Sequence, residues 1–183
     1  MGEYNYGRVF LMAEFWDILD KNRKKTGHVH KRGEPMGKGE YHLVVHVWIM
    51  NDEGEYLIAQ RTPNKSFPNM WECVGGSAVA GDNSLTTALK EVREELGVVL
   101  ESQNGQLFKR YQRNYEDYSF GADCGGDFVD VWLFRQNVDI SAVTLNPNET
   151  IDAMWASRDK INRMIDKGIF TTWGLVNYIN ELF

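Results

Sequence analysis

Between Gly75-Gly76 and Gly97 the chain places Leu85, Ala88, Leu89, Val92 and Leu96 at helical spacing. This stretch constrains the fold more than any other. Apolar residues recurring every three or four positions make one buried stripe. Asp82, Asn83 and Ser84 are cap candidates for the start of the helix, and Gly97 accepts the left-handed conformation that ends one. Beside the stripe stand Glu91, Glu94 and Glu95 at i, i+3 and i+4, within an arc of about 100°. They read as one exposed acidic face. Like charges so placed repel by roughly a few tenths of a kcal/mol per pair, and a hard divalent cation with oxygen ligands relieves the repulsion. Alone, Glu-x-x-Glu-Glu is more often a solvated helix face than a metal site.

The surroundings predict strands for this helix to rest on. Phe15 to Leu19 and His28 to Arg32 read as a hairpin about a polar turn from Lys21 to Gly27. Tyr41 to Met50 and Tyr56 to Arg61 flank Asn51-Asp52-Glu53-Gly54 and should pair antiparallel in a central sheet. Thr62 to Asn69 is a loop, and Met70 to Val74 is one short strand leading into the two glycines. Leu107 to Gln112 and Phe128 to Phe134 are strands around an insertion from Arg113 to Asp127 that should lie near a ligand. Asn146 to Thr150 is a loop and Ile151 to Trp155 a strand, and the segments 158–167 and 171–182 read as closing helices.

With 183 residues, 43% of them hydrophobic, the chain has material for one core. We expect residues 1–12 to be a peripheral extension and 13–183 one domain. No apolar run reaches membrane-spanning length and the N-terminus carries no export signal, so no membrane partner and a cytoplasmic address are expected. Two cysteines, Cys73 and Cys124, argue against a disulfide framework or a four-ligand zinc site. A net charge of −6 gives no general attraction to nucleic acid, which is therefore not an expected partner. A small molecule is the simpler ligand, and a homodimer is compatible with the sequence.

The complete frame is more specific than the glutamates alone. Gly76, Asp82, Lys90-Glu91, Val92, Glu94-Glu95, Gly97 and Val98 stand at the offsets of the Nudix box, which the segment resembles. Leu57 to Arg61, Trp71 and Trp155 also resemble family features, so the likeness runs over about residues 41 to 182. It implies an α/β (α+β) fold, an α/β/α sandwich with a mixed central β-sheet. The implied activity is hydrolysis of a diphosphate linkage in a nucleoside diphosphate derivative or similar small molecule. Mg²⁺ is the implied ion, with Mn²⁺ as the alternative, held by Glu91, Glu94 and Glu95. Asp82 and Lys90 replace the commoner Glu and Arg, a paired change that keeps the charges and loses the bidentate fork. Val79 stands where the family often has another glutamate.

By the same resemblance the catalytic candidates are Glu91, Glu94 and Glu149, the general base being either Glu91 or Glu149 on a later loop. Candidate substrate contacts are Arg61, Lys65, Gly76 and Tyr115. Tyr115 is near where dinucleoside polyphosphate hydrolases of the family carry a tyrosine, and the proline of ADP-ribose hydrolases is absent at Arg113 and Asn114. His42 and His46, on a strand, read as hydrogen-bonded packing residues, and Tyr111, Tyr118 and Trp132 as packing aromatics. Two other readings stay open. The chain also resembles isopentenyl diphosphate isomerases, but Gly75-Gly76-Ser77 replaces their Cys-Gly-His and Cys73 stands two positions early. A nucleotide-sensing domain without catalysis is the other.

Overall fold

The computed structural model describes residues 13–115, 125–172, 175 and 178–183. The expectations for residues 1–12, Tyr118 and Cys124, and for most of the insertion, lie outside the described residues. Nine strands form one sheet: β1 (Phe15–Leu19), β2 (Lys25–Lys31), β3 (Tyr41–Met50), β4 (Tyr56–Arg61), β5 (Trp71–Glu72), β6 (Val74–Ser77), β7 (Gly105–Asn114), β8 (Gly126–Arg135) and β9 (Thr150–Ala156). Among the described residues the α-helices are α1 (Ser84–Leu96), α2 (Arg158–Asp166) and α3 (Ile179–Leu182).

Strict alternation along β3 and β4 makes the sheet two-sided. Val45, Val47, Ile49, Leu57 and Ala59 pack with Ala88, Val92 and Leu96 of α1. The intervening Trp48, Tyr56 and Ile58 pack with Ile161 and Met164 of α2 and with Phe170, Leu175 and Tyr178. Side chains on a strand point to opposite faces in turn, so two apolar sets on one strand require cover on both faces. Helices on either side of the sheet supply it, which is the α/β/α arrangement. The sheet is mixed because β3 runs parallel to β8 over its whole length, Tyr41↔Gly126 to Met50↔Arg135, while its other pairs are antiparallel.

Several boundaries differ from the sequence reading. β2 begins at Lys25, three residues early, because Asp20 closes a tighter turn by accepting the Asn22 and Lys24 amides. β3 and β4 pair only at Ile49↔Leu57 and Met50↔Tyr56. The single strand expected over Met70 to Val74 is two strands, because the chain changes partner at Cys73: β5 pairs with β4 and β6 with β3. Gly75 and Gly76 lie within β6, and a Cβ on Gly75 would overlap the Val45 carbonyl oxygen. β7 and β8 extend to Asn114 and from Gly126, so the ladder absorbs both ends of the insertion. Of the closing helix expected over 171–182, the described residues contain only α3.

Helix α1 follows its local signals. Asn83 is the cap, its side chain accepting from the Thr86 amide, and Gly97 closes the helix at φ 67°. Asn83→Ala should cost about 1 kcal/mol, read as a lower urea midpoint with an unchanged slope. A midpoint equal to that of the parent would show that packing of the stripe alone fixes this terminus.

Candidate active site

The three glutamates of α1 do not share one exposed face, as their spacing suggested. Glu94 is exposed, Glu91 is half-buried and Glu95 is buried. Rotation about the helix explains the order: Glu95, Glu91 and Glu94 stand roughly 80°, 120° and 180° from the centre of the apolar stripe. The Glu91 carboxylate is packed against Gly76, where any Cβ would collide with it. Burial, then the charges of Glu94 and Glu149, push the Glu91 carboxyl up to about 7. Burial and Glu72 hold Glu95 well above the usual carboxylate range. Glu72 is itself raised by burial against the opposing pull of Arg61.

The basic candidates are already engaged in this acidic region. Lys65 forms an ion pair with Glu149. Arg61 Nη1 donates to both oxygens of Glu72 at 2.6 and 2.7 Å, and its Nε donates to the Ser66 carbonyl at 2.6 Å. Arg61 therefore ties the 62–69 loop to β5. Asp82 and Lys90 pair at 2.6 Å, so the altered acid and base of the box do meet. Half of the Lys90 side chain is exposed, which limits that pair to about 1 kcal/mol or less.

The donor set is carboxylate oxygens, which suit a hard divalent cation; the charges of Glu94 and Glu149 raise the proton affinity of Glu91, and those of Glu91 and Glu149 raise that of Glu95. Among the described residues, however, no three His, Cys, Asp or Glu side chains are already converged as ligands. Glu91, Glu94 and Glu95 are the carboxylates that could hold such a cation, and Glu149 acts electrostatically on Glu91 and Glu95.

Gly76 also lines a cavity of about 630 Å³ walled by Trp16, His42, Val44, His46, Phe67 and Tyr115, among others. Two polar networks stand in this wall. Arg113 and Asp127 form a buried pair at 2.7 and 2.6 Å, and the Tyr115 hydroxyl adds a bond to Asp127 at 3.2 Å. Burial lowers the Arg113 value, but the bonds and charge of Asp127 outweigh it and keep the guanidinium charged. Tyr115 also bonds His42 Nε2 at 2.7 Å, and Trp16 stacks on His42 at 4.0 Å. In the second network Tyr178 bonds His46 Nδ1 at 2.9 Å and accepts from Trp48 Nε1 at 3.0 Å. Burial pulls both histidines down to about 3, so they are neutral.

Trp16, His42, His46, Arg113 and Asp127 were not among the sequence candidates. The one usable signal was parity, since His42, Val44 and His46 alternate with the α1-facing Val45 and Val47. Asp127→Asn would remove the carboxylate charge that Arg113 meets in the buried pair, and we expect a loss of about 3 kcal/mol. Urea unfolding reads this directly. Recovery by Arg113→Met on the Asp127→Leu background separates charge burial from packing, and a Asp127→Asn protein as stable as its parent would exclude an ionised pair.

A family model described as the NUDIX domain matches residues 40–173. A Nudix hydrolase of Listeria innocua is 34% identical over 171 residues, covering 92% of this chain and 95% of that protein. An isopentenyl-diphosphate delta-isomerase of Gibberella zeae is 26% identical over 187 residues, covering 91% and 73%. Among solved structures, the DR0079 protein of Deinococcus radiodurans superposes with a TM-score of 0.69 at 21% identity, covering 93% of this chain and 99% of that one.

Proposed function

The chain belongs to the Nudix hydrolase family, and from that premise we propose that it is a Mg²⁺-dependent pyrophosphohydrolase of a nucleoside diphosphate derivative or similar small molecule. The observation that carries this reading is the place of Gly76, which is in contact with the Glu91 carboxylate and also lines the 630 Å³ cavity. The acid cluster and the volume for an organic group thus meet at one backbone position. In this reading Glu91, Glu94 and Glu95 hold the ion. When bound, it neutralises diphosphate oxygens and acidifies water.

The chain's own groups do the rest. Lys65, paired with Glu149, exchanges that carboxylate for a phosphate oxygen when substrate enters, which releases Glu149. Arg61, fixed by Glu72 and Ser66, keeps positive potential at the mouth of the cavity. Glu91 or Glu149 takes a proton from the attacking water. One P–O bond of the P–O–P bridge breaks, the water oxygen ends on phosphorus, and the bridging oxygen leaves with the other phosphate. Tyr115 serves as cavity wall, with its hydroxyl committed to Asp127 and His42.

Carbon chemistry of the isomerase kind needs a proton donor in place on the β6 side of the cavity. Cys73 lines the cavity, but it stands two positions before the place where those enzymes carry their cysteine, and its thiol is engaged beside Tyr178. Reaction in ¹⁸O-labelled water tests the proposal. The label is expected in one phosphate product, and an isomerised product with no phosphate released would replace hydrolysis by the isomerase reading.

A further inference from the structure

His46 is held more tightly than a packing histidine requires. Trp48 Nε1 can only donate, so Tyr178 Oη accepts from it at 3.0 Å. The Tyr178 proton can then go to His46 Nδ1, 2.9 Å away, or to Cys73 Sγ, 4.0 Å away and the weaker acceptor. An Nδ1 that accepts leaves the proton of a neutral imidazole on Nε2. That nitrogen has no hydrogen-bond partner among the described residues, and the ring lines the cavity opposite Gly75 in the β3–β6 register. The relay thus fixes a single uncharged N–H at the wall. Trp16, Val44, Phe67 and Leu175 line the same cavity, together with polar groups such as Ser66, Glu72, Ser77 and Thr171. A donor that the ligand covers and leaves unpaired costs free energy, so the His46 N–H disfavours a bare hydrocarbon placed against it.

We propose that His46 is a specificity-determining residue, whose Nε2–H pairs with an uncharged acceptor on the organic group of the substrate, of the kind a nucleobase carbonyl or ring nitrogen provides. The assignment rests on the reading that the cavity holds the non-phosphate part of a diphosphate. Phosphate oxygens have Lys65 to bind once it leaves Glu149, whereas His46 remains neutral.

Two measurements on the full chain test this. In ¹⁵N-histidine spectra, His46 is expected as the neutral Nε2–H tautomer from about pH 5 to about pH 8, and Tyr178→Phe is expected to mix the tautomers. Protonated or Nδ1–H His46 in the parent would overturn the relay. In binding titrations with ADP, CDP, GDP and UDP, His46→Leu should weaken the preferred nucleotide about 10-fold, the value of one hydrogen bond. His46→Gln, which keeps an N–H, should stay within about 3-fold of the parent. Inorganic pyrophosphate, which has no base, should bind all three proteins alike. Equal nucleotide affinity in His46→Leu, an equal loss for pyrophosphate, or no binding by any nucleotide would each overturn the proposal. Nucleotide binding that responds to His46 without any cleavage would overturn only the hydrolase reading.

Discussion

Glu95→Gln is expected to lower the hydrolysis rate about 10³-fold or more and, in the same protein without metal, to raise the melting temperature at pH 8. Both effects come from one buried carboxyl. Burial, then Glu72, lift the folded-state pKa of Glu95 well above its ordinary value of 4.5, while Lys65 opposes them. Above about pH 4.5 the unfolded chain gives up this proton more readily than the native one, so native stability falls as pH rises. Below that pH the term vanishes. Glutamine has no proton to lose, so the variant should melt above its parent at pH 8 and together with it near pH 4.5. Mg²⁺ should stabilise the parent and leave the variant little changed, because only the parent keeps the full ligand set. Melting scans at the two pH values, with and without Mg²⁺, check all of this. A variant that melts with its parent at pH 8 and still hydrolyses would remove Glu95 from the site.

Gly76→Ala is the second large effect. The added methyl group would collide with the Glu91 carboxylate, so either β6 or the Glu91 side chain must move. Moving β6 breaks its ladder to β3 at Val45↔Gly76, and forced overpacking of this kind costs about 1 to 3 kcal/mol. Moving Glu91 displaces a proposed ligand, and a shift of about 1 Å is enough to cost about 100-fold in rate. We expect kcat/KM to fall at least about 100-fold in a protein that still folds cooperatively. Circular dichroism melts beside steady-state kinetics separate the two losses. An active Gly76→Ala protein would mean that the contact between Gly76 and Glu91 is not part of the working site.

The sequence revealed the parts of this molecule that are decided locally. The apolar stripe of α1, its Asn83 cap and its Gly97 stop depend on residues within a few positions of one another, and they stand where the pattern put them. The identity of the acidic cluster was readable for the same reason. Its burial was not, because the acidic arc was measured without its distance from the stripe, which sets Glu95 apart from Glu94. Features that depend on a distant partner were missed. The strand break at Cys73 exists because β4 and β3 each claim one half of the segment. Arg113 and Asp127 looked like the ends of an insertion, yet the β7–β8 ladder pairs them directly. Likewise Tyr178 meets His46 and Trp48 across 132 and 130 residues of chain, a relation that no local periodicity encodes.

The central claim is metal-dependent cleavage of a diphosphate bridge at the Glu91, Glu94 and Glu95 cluster. The most direct test is incubation of the purified protein with Mg²⁺ and a panel of nucleoside triphosphates, dinucleotides, nucleotide sugars and isopentenyl diphosphate, beside the Glu94→Gln, Glu95→Gln double variant. At least one nucleotide is expected to be cut at its phosphoanhydride, chelation of the metal is expected to stop the reaction, and the double variant is expected to be inactive. Cleavage that survives in the double variant, or tight nucleotide binding with no cleavage under any divalent metal, would contradict the claim.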